Sequence, residues 1–172
     1  MPFSRILLVK SFSRRRVMFT EENFNKLIEM HKDTVFRIAL NYTKRIDVAE
    51  DITQNVFIKL YRCNRVFESE VHIKHWLIRV TVNECKKTLL SPWQKMESFD
   101  NYAETIFFAT EEHSELFYAV MSLPKKYRVV IYLHYYEGYR TEEISEFLGI
   151  PAATVRTQLK RGRGLLKASL EE

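Results

Sequence analysis

Glycine and proline are scarce in this sequence, four of each in 172 residues. With so few breakers the chain has few places for tight turns. Alternating β-branched runs between turn clusters are hard to find, so the reading is all-α. Cysteine is scarcer still. Cys63 and Cys85 stand apart with no CxxC spacing, which fits a reducing compartment rather than a disulfide framework. No apolar run approaches the ~20 residues of a membrane span. Near the start only Ile6 to Val9 is apolar, shorter than the ~7–15 residues of a signal-peptide core. A cytoplasmic protein without membrane insertion is expected. Also missing are a P-loop, a GxSxG elbow, an HExxH pair and a Gly-rich phosphate cradle. Neighbouring carboxylates such as Glu50 and Asp51 do not by themselves make an acid–base pair. His72 and His75 lack further ligands at zinc spacing. No catalytic residue, metal or cofactor is expected, and an enzyme is not.

What is present is a modest excess of base, net +5, on an ordinary globular composition, 46% hydrophobic and 28% charged. That charge permits a nucleic-acid partner without demanding one. Residues 1–17 carry the basic run Arg14-Arg15-Arg16 and no helical period; they are expected to be a disordered extension. Thr20-Glu21-Glu22 then reads as a helix cap with acids in the first turn. Apolar residues from Phe24 to Tyr42 recur at helical spacing. Asp47, with Glu50 three positions on, reads as the capping box of a second helix, with Val48, Ala49, Ile52, Val56 and Leu60 as its buried stripe. A polar loop, Arg62 to Glu70, leads to a third helix from about Val71 to Leu90, with Trp76, Leu77, Val80 and Cys85 available to the core. Together, residues 18–90 form a first small helical domain.

Ser91-Pro92 breaks the pattern. Residues 91–115 then hold one base, Lys95, against six acids, and 91–114 is read as an acidic linker. A second unit, 115–172, follows. It has a short helix from Glu115 to Met121, another from Lys125 to Glu137 ended by Gly138, a third from Thr141 to Leu148, and a fourth from Pro151 to about Leu170.

Thr141 to Arg163 has helix-turn-helix arithmetic. Ile144, Phe147 and Leu148 share a face; Gly149 supplies the positive φ of the interhelical turn. The next helix buries Val155, Leu159 and Leu166. At 100° per residue Thr157, Lys160 and Arg161 fall opposite that stripe, flanked by Arg156, Arg163 and Lys167. From Pro151 to Leu170 there are five bases and no acid, a face suited to the major groove. The third helix of the first unit carries a different signal. Arg79, Asn83, Lys86 and Lys87 lie within nine residues of one helix beside Trp76, and bases and amides beside an aromatic suit single-stranded DNA. Trp76 itself reads more readily as core.

With these residues in view, the order of parts resembles the extracytoplasmic-function sigma factors of bacterial RNA polymerase. Asp47 to Tyr61, DVAEDITQNVFIKLY, is similar to the family's DAEDLVQEVFLKLW. His75 to Cys85, HWLIRVTVNEC, is similar to AWLYRIAVNEC. Leu123 to Arg128, LPKKYR, is similar to LPEKYRE, and Thr154 to Arg163, TVRTQLKRGR, is similar to TVKSRLHRARK. The resemblance covers about Phe24 to Leu170. It implies that 18–90 is a region-2-like domain that melts and reads the −10 element with Arg79, Asn83, Lys86 and Lys87, capturing a flipped base near the Arg62–Glu70 loop. It implies that Asp51, Gln54, Asn55 and Phe57 dock on the β′ subunit of the polymerase core. It implies that 115–172 is a region-4-like domain reading the −35 element with Thr154, Arg156, Thr157, Lys160, Arg161 and Arg163. The implied partners are core RNA polymerase through β′ and β, promoter DNA, and an anti-sigma factor; the linker would enter the core enzyme's cationic RNA channel. Two departures stand out. Asn55 replaces the usual Glu, and Gly162 and Gly164 replace helix formers, each at a cost of about 1 kcal/mol relative to Ala. The rival expectations are a stand-alone helix-turn-helix regulator, which leaves the third helix of the first unit unexplained, and a sequestering adaptor, which predicts no DNA binding.

Overall fold

Thr20 begins the first helix as its sequence suggests. The computed structural model describes residues 20–90 and 114–171, and seven α-helices with no strand order them. The extension 1–17 and nearly all of the 91–114 linker lie outside the described residues. Helix α1 is Glu21–Thr43; the Thr20 hydroxyl accepts from the Asn23 N–H at 3.2 Å, satisfying one orphan donor of the first turn. It closes on Lys44, which takes the left-handed conformation at φ 57° and donates its N–H to Leu40 O.

Helix α2 is Ile46–Arg62, and here the expected cap is corrected. Arg45, not Asp47, occupies the cap position, with no side-chain cap bond. Asp47 sits inside the first turn, where Arg45 Nε donates to its Oδ1 at 3.2 Å. A carboxylate there still complements the positive end of the helix, and the Arg45 guanidinium holds its pKa below the ordinary value. Helix α3 is Glu70–Leu90, with Ser69 Oγ accepting from the His72 N–H. The three helices enclose Val35, Ile38, Ile52, Val56, Leu60, Leu77, Ile78 and Val82, each at most 3% exposed. Burying side chains of this size contributes about 1.5–3 kcal/mol each. Cys85 is buried among them, and burial pushes its thiol up to about 12, which leaves it unreactive at neutral pH.

The second unit comprises α4 (Ser114–Ser122), α5 (Lys125–Ile131), α6 (Thr141–Leu148) and α7 (Ala152–Leu170). The helix expected to run unbroken from Lys125 to Glu137 changes character after Ile131. Tyr132–Tyr136 form a π turn, with the Glu137 N–H reaching back to Tyr132 O. Gly138, at φ 75°, then ends it. In α6 the Glu143 carboxylate accepts from the Arg140 N–H at 2.9 Å, and Gly149 at φ 64° makes the turn into α7. Gly162 is not the weak point its type suggested. A Cβ there would lie 3.1 Å from Ile131 Cγ1 and 3.3 Å from Tyr127 Cβ, so the missing side chain is what lets α5 and α7 approach. Gly164 has open space around it, and α7 stays helical to Leu170.

The two units meet along α1 and α3 on one side and α5, the π turn and α6 on the other. Arg128 of α5 is the centre of this junction, 2% exposed. Its Nε donates to Asn41 O of α1 at 2.7 Å, and its Nη1 to Leu123 O at 2.6 Å and Met121 O at 3.3 Å. No carboxylate pairs with it among the described residues, and burial lowers its pKa to about 10. Carbonyls at the ends of two helices offset the charge.

Candidate nucleic-acid and polymerase interfaces

Helix α7 is held by Val155 and Leu159, both buried, and by Gly162 against α5. That anchoring turns the opposite face outward. Arg156, Thr157, Lys160, Arg161 and Arg163 are all exposed and Thr154 is half-buried. The structure thus brings the six expected residues onto one accessible side of one helix. Arg156 Nη1 stands 3.3 Å from Glu142 Oε1 of α6, a pair exposed on both sides and so worth little. Arg163 Nη1 donates to Tyr135 Oη at 3.3 Å. Neither Lys160 nor Arg161 has a carboxylate partner among the described residues.

Beside this face lies a feature that sequence reasoning missed. The first turn of α5 puts Lys126 and Tyr127 next to the first two turns of α7, and a cavity of about 300 Å³ opens between them. The neighbouring Arg161 guanidinium, and after it Lys126, hold the Tyr127 hydroxyl's pKa below the ordinary value. The signal available in the sequence was only the basic pair after Pro124, which carries no helical period of its own.

On α3, Arg79, Asn83 and Lys87 are exposed and close in projection. Lys86 shares their side but is engaged: its Nζ donates to Leu148 O, at the end of α6, at 2.6 Å. Further up the helix Lys74 pairs with Glu137 at 3.2 Å, and His75 lies 3.6 Å from Glu143. Burial works against the Lys74 charge, but Tyr139 and Glu137 outweigh it and raise its pKa. Trp76 is half-buried, edge-on to Phe67 of the connecting loop at 5.7 Å. Val66 and Val71 near that loop are exposed.

On α2, Asp51, Gln54 and Asn55 are exposed, but Phe57 does not join them. It is 6% exposed and belongs to the core, because it falls on the inner side of the helix with Val56 and Leu60. The exposed large hydrophobic side chains of that helix are Ile58 and Tyr61. Among the described residues no three His, Cys, Asp or Glu side chains gather as a metal site, and no helix is long and apolar enough to cross a membrane.

Comparison with known proteins gives these faces a context. The family model for Sigma-70 region 2 matches residues 27–95, and that for Sigma-70 region 4 matches 113–166. The RNA polymerase sigma factor SigV of Bacillus subtilis is 31% identical over 146 residues, covering 81% of this chain and 86% of its own length. The chain belongs to the extracytoplasmic-function sigma factors. SigE of Mycolicibacterium smegmatis, an ECF RNA polymerase sigma factor, is 28% identical over 156 residues, covering 84% of this chain; the match spans 60% of that longer relative. Among solved structures, the sigma factor RpoE of Bartonella quintana, determined in complex with the anti-sigma factor NepR, superposes with a TM-score of 0.70 at 19% identity. That likeness spans 87% of this chain and 98% of the other and concerns the fold. A sigma factor directs promoter recognition and transcription initiation, and the relatives matched are sigma factors rather than enzymes. For this sigma factor most of α1 and all of α2 and α3 fall within the region 2 match, and α4 to most of α7 within the region 4 match.

Proposed function

We propose a division of labour among three faces of this sigma factor. The exposed side of α7, with Thr154, Arg156, Thr157, Lys160, Arg161 and Arg163, reads the −35 element as duplex. Arg pairs with guanine edges and Lys neutralises phosphate. Arg79, Asn83 and Lys87 of α3 contact the −10 element once its strands part, and Lys86 joins them by exchanging the Leu148 carbonyl for DNA. Asp51, Gln54 and Asn55 of α2, joined by Ile58 and Tyr61 in place of Phe57, dock on the β′ subunit of core polymerase. The region-4-like unit takes the β subunit, and the acidic segment 91–114 enters the RNA channel. The observation that carries this reading is the α7 face: five bases and no acid on a helix anchored by Val155 and Leu159.

With these partners the protein is read as cytoplasmic and as a DNA-binding subunit rather than an enzyme, a role that calls for no cofactor. A region-2-like unit over 18–90 and a region-4-like unit over 115–172 are the working division. An anti-sigma partner is part of the proposal, in view of the complex in which the RpoE relative was solved. Run-off transcription with core polymerase on a library of promoter fragments tests the whole. Transcripts that require this chain and share an upstream and a start-proximal motif are expected. Duplex binding with no stimulation of core enzyme would overturn the proposal.

A further inference from the structure

The inner side of α7 is held in two different ways. Toward its start Val155 and Leu159 pack as side chains, 0% and 6% exposed. Three residues past Leu159 the same stripe buries Gly162, which has no side chain to pack. There the backbone of α7 lies directly against α5. A Cβ at Gly162 would stand 3.1 Å from Ile131 Cγ1 and 3.3 Å from Tyr127 Cβ, closer than the 3.4 Å at which ordinary contact begins.

The α5 side of this contact is stiff. Tyr127 Cβ moves only with its backbone. Ile131 is 2% exposed and β-branched, with one strongly preferred rotamer in a helix. Between them Arg128 ties α5 to Asn41 O, Leu123 O and Met121 O. The outer side of α7 is free by comparison: Arg161, Arg163, Gly164 and Leu165 are all exposed. A methyl group at position 162 would therefore move α7 outward, by a few tenths of an ångström. Val155 lies about 10 Å back along the helix, at 1.5 Å per residue, and acts as the pivot. Arg156, beside the pivot, hardly moves; Lys160, Arg161 and Arg163 take the full shift. Donor–acceptor distances in a hydrogen bond span only about 0.5 Å, so a shift of that size uses up most of the tolerance of a paired contact with a base.

We propose that Gly162 is a positioning residue that sets the −35 sequence preference of this sigma factor without touching DNA. By lacking a Cβ it seats the second half of α7 against α5, and that seat aims Lys160, Arg161 and Arg163. The inference rests on the reading of α7 as a duplex-binding helix. Through Arg128 the aim of α7 is also keyed to α1 in the other unit, since α5 carries both contacts.

The test assembles the full chain with core polymerase. Run-off transcription is read from a promoter it initiates and from variants carrying each other base at each −35 position. Ratios between promoters are compared, because a loss of folded protein lowers every promoter by one common factor. Arg156→Ala and Lys160→Ala first mark which positions each half of α7 reads. Gly162→Ala should then change preference at the positions marked by Lys160→Ala by about fivefold or more, the low end for one bidentate pairing. Positions marked by Arg156→Ala should keep their preference. Gly164→Ala adds the same methyl group into open space and should change no ratio. Ile131→Ala in the Gly162→Ala chain removes the nearest obstructing atom and should move the preference back toward the wild type. Ile131→Val alone loosens the same contact from the α5 side; it should shift the same positions to a smaller extent, and it serves where Gly162→Ala folds poorly. A common factor across all promoters in both Gly162→Ala and Ile131→Val, or equal shifts from Gly162→Ala and Gly164→Ala, overturns the positioning role and leaves the reading of α7 intact. If neither Arg156→Ala nor Lys160→Ala alters any preference, the reading of α7 falls, and the positioning role with it.

Discussion

Two helices of this sigma factor carry similar mixtures of base and amide, yet they present them differently. On α7 the cations face outward, and those of its central turns, Lys160 and Arg161, have no carboxylate partner among the described residues. On α3 the same kinds of side chain are partly consumed by the other unit: Lys74 by Glu137, His75 by Glu143, Lys86 by the Leu148 carbonyl. Charge pattern places a residue on a face; only the packing of the second unit decides whether that face is open. On the proposed reading, the α7 surface can take duplex DNA as it stands, whereas the α3 surface is complete only when the junction yields.

The strongest way to break this contrast is to remove the junction's centre. Arg128→Ala leaves three buried carbonyls without a donor and should destabilise the chain by about 3 kcal/mol or more, at roughly 1–3 kcal/mol per unsatisfied group; urea denaturation measures it. A loss below about 1 kcal/mol would mean that water replaces the guanidinium, and that the junction is looser than the packing implies. Next, Arg156→Ala combined with Lys160→Ala should weaken promoter duplex affinity by about 1–3 kcal/mol for each bidentate pairing with a base that the change removes. Filter binding or fluorescence anisotropy on the duplex measures it. Arg79→Ala with Asn83→Ala should leave duplex affinity nearly unchanged and impair strand opening, read by permanganate reactivity of the −10 region. Equal effects of both pairs on duplex binding would erase the distinction between the helices.

A smaller effect comes from the two glycines of α7. Gly164→Ala should stabilise by up to about 1 kcal/mol, since nothing crowds the site and Ala favours the helix. Gly162→Ala should gain less or lose, because its Cβ meets Ile131 and Tyr127; paired thermal melts decide. The smallest effect is on pH. His31 is buried, its Nε2 has no hydrogen-bond partner among the described residues, and burial followed by the Lys74 charge lowers its pKa, against the opposing pull of Glu70 and Glu137. The unfolded chain therefore takes up the proton first. Stability is complete above the unfolded value of 6.5 and falls as pH drops below it, by less than one proton's slope. Denaturation midpoints between pH 7.5 and 5.5 should show this, and His31→Gln should flatten it.

Much of the frame was legible from residue types acting locally. Thr20 capped its helix, Gly149 made the turn, and the Val155–Leu159 stripe oriented α7, because caps, positive φ and helical period are short-range rules. Asp47 misled because Arg45, two residues earlier, captured its carboxylate and let the helix begin sooner. Phe57 misled because motif similarity names residues without saying which side of the helix they occupy. The π turn at Tyr132–Tyr136 was hidden, since one extra residue per turn leaves no mark in the apolar spacing. The junction was hidden for a different reason: its partners are 62 and 87 residues apart for Lys86 and Arg128, and no period connects them. The assignments of individual residues to −10, −35 and polymerase contacts remain proposals that the experiments above address.

That separation of 87 residues between Arg128 and Asn41 also has a kinetic meaning. Each unit can assemble from its own short-range contacts before the guanidinium finds the far carbonyl, because long loops close late. A bond absent from the transition state governs the rate of leaving the native state rather than the rate of reaching it. Arg128 therefore works as a timer: it sets how long the two units stay together once joined, and its loss should appear as faster unfolding with refolding almost unchanged.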